Sequence, residues 1–196
     1  MRRSWVGCGV IALVVLFIGG VLAAGSYNRL VVLEEQVAER WAQVENVYQR
    51  RADLIPNLVE TVKGARDFEQ ETILQVVEAR SRVSQVQVEG VPGAEQLARF
   101  EQAQAGLSGA LSRLLVVVER YPELRATDAF VTLQSQLEGS ENRISVERHR
   151  FNEAARDFNT ARRRFPTVIV ASLFGFEEKP YFQAEAGAEV PPRVEF

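Results

Sequence analysis

The chain has 196 residues, a formal net charge of −3, one cysteine and one histidine. This length suits one domain plus an attachment segment, and the small negative charge argues against a general nucleic-acid binder. One cysteine cannot form a disulfide within the chain, and one histidine makes a histidine-rich metal site or a triad built from several histidines hard to assemble.

The first predicted element is a transmembrane helix. Residues 4–28 contain no charged side chain, and this run is long enough to cross a hydrocarbon layer at about 1.5 Å per helical residue. Trp5 and Tyr27 stand at its two ends, where amphipathic rings favour the interface. We therefore predict a short flank over residues 1–4 and a helix in contact with membrane lipid over residues 5–26.

A cleaved signal peptide is the competing interpretation of this run. Ala23, Ala24 and Gly25 are small and could support cleavage. The run is longer than the roughly 7–15 apolar residues of a usual signal peptide, however, which favours an uncleaved anchor.

The orientation of the anchor depends on few charges. Arg2, Arg3 and the free amine precede it, whereas Arg29 and Arg40 follow it. Because positive residues favour the cytoplasmic side, we expect the N-terminus inside and the C-terminal domain outside.

An amphipathic helix follows the anchor directly. Ten positions spaced three and four apart form a stripe in which one arginine interrupts apolar or aromatic side chains: Leu30, Leu33, Val37, Trp41, Val44, Tyr48, Arg51, Ile55, Leu58 and Val62. Such a stripe is typical of a helix with one wide buried face. The helix either breaks near Gly64 and restarts at Asp67, with Gln70 completing a capping box, or continues gently bent to about Val86.

Arg51 is unexpected on this apolar stripe, and three interpretations are open. The stem can lie along the seam while the guanidinium reaches water. The guanidinium can instead form a buried ion pair with Glu141 or Glu147 on a neighbouring helix, which would set the register between helices. It can also belong to a site for a ligand or a partner.

Pro56 lies in the middle of the same helix. Proline removes the backbone donor to the carbonyl of Ala52, which predicts a bend. Asp53 and Asn57 lie four residues apart on one face near Arg50, so they could hydrogen-bond laterally or compensate the freed carbonyl.

Two further stripes predict the remaining long helices. One runs from Leu97 to Tyr121 and the other from Phe130 to Phe158, and short connections containing Gly and Pro separate the helices. Amphipathic helices with no strand-like alternation predict an all-α fold, an antiparallel bundle of three or four long helices over residues 27–166.

Residues 167–196 are predicted to form a C-terminal tail. The uncharged run Thr167–Phe176 is too short to cross a bilayer, so it forms either a short helix or an extended arm lying over the bundle. The rest is rich in Gly, Pro and Ala and is predicted to be mostly irregular.

The chain carries no recognisable catalytic motif. A P-loop, a dinucleotide fingerprint, zinc-ligand spacing and HExxH are all missing from the sequence. His149 stands between Arg148 and Arg150, a pattern typical of a solvated basic helix face. Arg162–Arg164 similarly indicates a helix C-terminus, or a contact with phosphate groups if the tail returns to the membrane. We therefore expect no catalytic residue, no metal site and no cofactor.

The chain resembles the LemA family of bacterial membrane proteins. The most specific segment is RRADLIPNLVETVKG, supported by YPELRATDAFVTLQSQLEGSENRISVERHRFNEAARDFNTARRRFP and by FGFEEKPYFQAEAGA. The resemblance runs from Tyr27 to about Ala188. It implies a membrane-anchored antiparallel helical bundle, and it supplies no catalytic residues.

We expect a single-pass protein of the bacterial inner membrane that acts as a non-catalytic interaction or scaffold module with a protein partner. The alternatives are a self-assembling membrane homo-oligomer and a sensor that binds a small anion near Arg51. The candidate partner or register residues are Arg50, Arg51, Asp53, Pro56, Asn57, Phe174, Phe176, Tyr181 and Phe182.

Overall fold

The computed structural model describes residues 2–65 and 68–183, with side chains from residue 13 onward except residue 15. In these residues the chain forms helices and irregular segments without a strand, which confirms the predicted all-α fold. The helices are α1 (Arg2–Lys63), α2 (Gln70–Gln85), α3 (Ala94–Val118), α4 (Pro122–Arg125), α5 (Asp128–Arg163) and α6 (Thr167–Phe174). The tail predicted to be irregular beyond residue 183 lies outside the described residues.

Helix α1 joins the apolar N-terminal run to the bundle as one helix of 62 residues. Seven apolar side chains between residues 13 and 22 are each more than half exposed, whereas Leu30 and Val37 are fully buried. The apolar side chains of α1 are therefore exposed before Tyr27, and those of its apolar stripe are mostly buried in the bundle after it. Within the part of the chain that the structure describes, α1 is the helix long and apolar enough to cross a membrane.

The four long helices pack as an antiparallel bundle, in which α1 lies mainly against α5 and α2 mainly against α3. Trp41 of α1 contacts Phe151 of α5, while Arg51 contacts Glu141. Rising numbers on α1 thus meet falling numbers on α5, as antiparallel packing requires.

The core consists of two hydrophobic clusters. The near cluster lies beside the N-terminal apolar run and contains Leu30, Trp41, Phe100, Phe151 and Phe158. The far cluster lies at the opposite end of the bundle and contains Ile55, Leu58, Val76, Leu114 and Phe130.

Helix α1 ends at Lys63 and α2 begins at Gln70, so the break near Gly64 is confirmed. The expected restart at Asp67 is wrong, because α2 begins three residues later with Glu69 as its N-cap. Phe68 explains the delay: it lies outside the helix, buried in the far cluster with its ring 5.1 Å from that of Tyr121. Asp67, the expected capping residue, lies outside the described residues.

The carbonyl freed by Pro56 is satisfied from another helix. Arg80 of α2 donates its Nε–H to the carbonyl oxygen of Ala52 at 3.1 Å. Compensation by Asp53 or Asn57 is therefore wrong. Both of those side chains are exposed, whereas Ala52 is buried, so they point away from the freed carbonyl. The hydrogen bond from Arg80 ties α2 to α1 at the proline.

We predict that Arg80 stabilises the bundle through this carbonyl. Arg80→Met should lower the free energy of unfolding by about 1 kcal/mol, because a buried acceptor loses its charged donor. In a Pro56→Ala background the loss should shrink, since the restored amide of residue 56 then donates to Ala52. Urea unfolding of the full chain in detergent, followed by circular dichroism, measures both.

The matched control is Arg82→Met, because Arg82 is an exposed arginine on the same helix. An equal loss from Arg80→Met in both backgrounds would show that the Ala52 carbonyl is not the relevant partner.

Candidate functional site

A polar layer centred on Arg51 crosses the middle of the bundle. The guanidinium is 2% exposed. Its Nη1 donates to a carboxylate oxygen of Glu141 on α5 and, at 3.0 Å, to Ser108 Oγ on α3. Its Nη2 donates to Gln104 Oε1, also on α3. Arg51 thus connects three helices through its two terminal nitrogens.

This layer separates the near cluster from the far cluster on each of these helices. On α1 the near cluster ends at Tyr48 and the far cluster begins at Ile55. On α3 the near cluster ends at Phe100 and the far cluster begins at Leu107, with Gln104 between them. On α5 the far cluster ends at Leu137 and the near cluster begins at Ile144, and Ser140 and Glu141 lie between them. The polar residues that interrupt the buried faces of α1, α3 and α5 therefore meet at one level.

Of the three interpretations of Arg51, the structure contains the ion pair with Glu141. Glu147 instead accepts a hydrogen bond from Arg150 at 2.7 Å. The pair is asymmetric, because the Glu141 side chain is 49% exposed while Arg51 is buried. Glu141, Ser108 and Gln104 already accept hydrogen bonds from the terminal nitrogens of Arg51, whereas its buried Nε–H has no partner among the described residues. Because Glu141 already balances the charge of Arg51, the layer does not favour the anion-binding interpretation.

Tyr48 packs directly on the guanidinium of Arg51, whose central carbon lies 5.1 Å from the ring centroid. Burial raises the pKa of the Tyr48 hydroxyl, and the nearby charges of Arg148 and Arg51 partly offset this effect. The phenol therefore stays neutral at physiological pH and cannot supply a second negative charge to the layer.

A polar groove of about 440 Å³ opens beside this layer. Arg51 and Arg148 line it together with Glu141, Glu101 and Gln183. Each arginine faces a carboxylate: Arg148 Nη2 lies 3.0 Å from an oxygen of Glu101. The groove can hold polar groups by hydrogen bonding. In the described residues no cluster of His, Cys, Asp and Glu is arranged to hold a metal ion.

The segment after α6 is an extended strap that lies on the bundle over residues 176–183. Asn159 of α5 donates to the carbonyl of Lys179 at 2.8 Å and accepts from its amide at 2.9 Å. Asn152 likewise donates to the carbonyl of Phe182 at 3.0 Å and accepts from its amide at 2.9 Å. Each asparagine side chain therefore satisfies both backbone groups of one strap residue, as a neighbouring strand would.

The spacing of these two asparagine clamps follows from backbone geometry. Asn152 and Asn159 are seven residues apart, or about 10.5 Å along a helix. Lys179 and Phe182 are three residues apart, or about 10 Å along an extended chain. The two lengths match, so one face of α5 can hold an extended segment that runs antiparallel to it.

Aromatic packing holds the strap at both of its ends. Phe182 is 5% exposed and its ring lies 6.1 Å from Trp41 and 5.5 Å from Phe151. Phe176 packs against Tyr27 and Phe158, at 5.6 and 6.3 Å. These two predicted contact residues therefore pack within the chain.

Phe174 and Tyr181, the other predicted tail residues, are 59% and 41% exposed. The Tyr181 hydroxyl lies 3.0 Å from Asn159 Nδ2, which donates to it. Phe174 remains the more available of the two rings.

The asparagine clamps were missed by sequence reasoning. The signal was the heptad repeat of Phe-Asn at Phe151-Asn152 and Phe158-Asn159. In each pair the phenylalanine is buried in the near cluster, and the asparagine beside it faces the strap.

The remaining predicted site residues form a polar face on α1. Arg50, Asp53, Pro56 and Asn57 are all exposed, and their spacing of three and four places them on one side of the helix. Asp53 accepts a hydrogen bond from Gln49 Nε2 at 2.8 Å. We refer to these four residues as the outer face of α1.

Comparison with known proteins identifies relatives across most of the chain. The model of the LemA family matches residues 40–196. Magnetosome protein MamQ 1 and MamQ 2 of Paramagnetospirillum magneticum are each 27% identical over 196 positions, covering 91% of this chain and 71% of the relative. Protein LemA of Metamycoplasma hominis is 21% identical over 160 positions, covering 82% of this chain and 70% of the relative.

We predict an asymmetric response to removing the two partners of the central ion pair. Glu141→Ala should cost about 3 kcal/mol of unfolding free energy, because it leaves the buried charge of Arg51 unpaired. Arg51→Met should cost about 1 kcal/mol or less, since methionine fills the seam and the half-exposed carboxylate of Glu141 becomes hydrated. Chemical denaturation of the full chain in detergent measures both.

The double variant should be about as stable as Arg51→Met alone, because no buried charge remains. Glu138→Ala, at an exposed carboxylate one turn away on α5, is the matched control. A larger cost for Arg51→Met than for Glu141→Ala would contradict this account of the layer.

We predict that the asparagine clamps protect the backbone of the strap. Asn152→Ala should speed amide hydrogen exchange most at Phe182, and Asn159→Ala most at Lys179, because each variant removes the acceptor of that amide. Asn142→Ala, an exposed asparagine on the same helix, should change neither. Unchanged exchange in the clamp variants would show that aromatic packing alone holds the strap.

Proposed function

The chain belongs to the LemA family, and we propose that it is a membrane-anchored, non-catalytic interaction or scaffold module of the bacterial envelope. The observation that carries this proposal is the continuity of α1 from the apolar run into the bundle. A bundle built on such a helix stands at a defined height above the bilayer.

The dimensions of α1 support a scaffold role. From Tyr27 to Lys63 the helix extends about 55 Å beyond the end of the apolar run. The two hydrophobic clusters and the polar layer between them hold the other helices against this part of α1. Anchoring of this kind raises the effective concentration of weak contacts near the membrane.

The outer face of α1 is the proposed contact surface for a protein partner. It carries a cation, a carboxylate and an amide on a rigid helix, and its members are exposed. Proline on this face adds a position without a backbone donor. These features suit a polar, hydrogen-bonding interface.

The relatives are consistent with this proposal. Their names, Magnetosome protein MamQ and Protein LemA, specify no reaction. The match to MamQ covers nearly the whole of this chain, so we infer that anchor and bundle act together in the same kind of role.

We predict that the outer face of α1 contacts a specific protein in the cell. A photo-crosslinking amino acid at position 57 should give one saturable adduct, because Asn57 lies on that face. The same probe at Glu39, an exposed position nearer the anchor, should not give this adduct. Mass spectrometry identifies the captured chain.

The other outcomes of this experiment also decide between proposals. An adduct of two copies of this chain would replace the scaffold by the self-assembling oligomer. Identical adducts at both positions would remove the outer face as the contact surface. A saturable hydrolytic activity of the purified protein, lost on changing one carboxylate, would overturn the non-catalytic role.

We propose that the bundle lies on the outer side of the bacterial inner membrane, following the positive residues that precede the anchor. In a Cys8→Ser background, a Glu177→Cys variant should react with an impermeant maleimide in intact spheroplasts, because Glu177 is exposed. Labelling that requires lysis would place the bundle in the cytoplasm.

A further inference from the structure

Helix α6 is apolar on the side that faces away from the bundle as well as on the side that packs against it. Thr167, Val170 and Ala171 are buried. The exposed apolar side chains form what we call the α6 patch: Phe165 at 81%, Val168 at 42%, Ile169 at 59%, Leu173 at 77% and Phe174 at 59%. Contiguous apolar surface of this kind marks a contact with a protein or a membrane.

The position of the α6 patch distinguishes between these two occupants. The ring of Tyr27 lies 5.0 Å from that of Phe174, edge to face. Tyr27 is the last aromatic residue of the uncharged run, and beyond it the surface of α1 becomes buried in the bundle at Leu30. The α6 patch therefore lies beside the end of the apolar part of α1, at the level where a membrane-spanning helix meets the headgroups.

The charges around the α6 patch complement an anionic surface. Arg164 precedes Phe165 at the start of the α6 patch, and Arg29 lies two residues after Tyr27 on α1. Both side chains are exposed, and neither forms a hydrogen bond or an ion pair among the described residues. Arg162 and Arg163 are instead paired with Glu178. Arg163 Nη2 lies 2.6 Å from one of its carboxylate oxygens, and Arg162 Nη1 lies 3.7 Å from the other. Glu177 is exposed. The two unpaired arginines are placed to meet phosphate groups of lipid headgroups.

We propose that α6 lies in the bilayer interface and that the α6 patch contacts lipid as a second membrane attachment. At eight residues the helix spans about 12 Å, far short of a hydrocarbon core of about 30 Å, so it lies in the surface rather than crossing it. The proposal rests on the proposed anchoring through α1. Two attachment points would fix the tilt and rotation of the bundle, which one helix alone leaves free.

Depth-dependent quenching in the full-length protein tests this contact. Single cysteines are introduced in a Cys8→Ser background and labelled with an environment-sensitive fluorophore. The protein is then reconstituted in vesicles of phosphatidylethanolamine and phosphatidylglycerol that contain a nitroxide lipid. The nitroxide stands close to the headgroup in the samples that report on α6 and near the end of an acyl chain in the samples that report on the anchor. Leu173→Cys and Ile169→Cys report on the α6 patch and Leu16→Cys on the anchor.

Val116→Cys is the matched control, because Val116 is a 70% exposed aliphatic residue at the far end of the bundle. We expect the nitroxide to reduce the emission of the 173 and 169 probes and of the 16 probe, with a blue shift of emission, and to leave the 116 probe unchanged. Arg164→Gln should lessen the loss at 173 in these vesicles.

Contrary outcomes separate the two proposals. If the 16 probe is quenched and the 173 and 169 probes behave like the 116 probe, the interface position of α6 is wrong while the anchor stands. If the 16 probe also escapes quenching, the anchoring through α1 fails first. Efficient disulfide formation between two Leu173→Cys chains without quenching at 173 would show that a second copy covers the α6 patch, which also overturns the proposal.

Discussion

The rest of the structure depends on one constraint: α1 is a single helix whose first part suits lipid and whose second part packs in the bundle. Between residues 13 and 22 the apolar side chains of α1 face outward, and from Leu30 onward the apolar positions narrow to one stripe. Because no break separates the two parts, the stripe at Leu30 sets which side of the anchor carries the bundle. The position of α6 beside Tyr27 and the course of the strap both follow from that orientation.

The polar layer at Arg51 sets the register of α3 and α5 along α1. Aliphatic seams tolerate sliding, because one leucine packs much like the next. A slip of α5 by one turn, about 5.4 Å, would remove Glu141 from a guanidinium that is 2% exposed. The buried charge would then be unpaired, a costly state that native packing avoids. We infer that the layer defines which residues of α1, α3 and α5 meet, at the expense of some stability that an apolar layer would provide.

Sequence reasoning found the helices and the polar interruption, because hydrophobic periodicity reports which face of each helix is buried. It could not choose among the interpretations of Arg51, since periodicity does not say which helix lies opposite. Arg80, the donor to the Ala52 carbonyl, could not be identified for the same reason, because it is 28 residues away along the chain. The strap was harder to predict, because an extended segment held by asparagine side chains has no hydrophobic periodicity in its sequence.

The central claim, that α1 is continuous from the lipid into the bundle, can be measured directly by pulsed electron paramagnetic resonance. Spin labels replace Val21 and Asn57, both exposed, in a Cys8→Ser protein reconstituted in nanodiscs. These positions are ten helical turns apart and so lie on one side of α1. A continuous helix predicts a single narrow distance near about 54 Å. A broad distribution centred well below this value would show that the helix breaks between anchor and bundle, and would contradict the account.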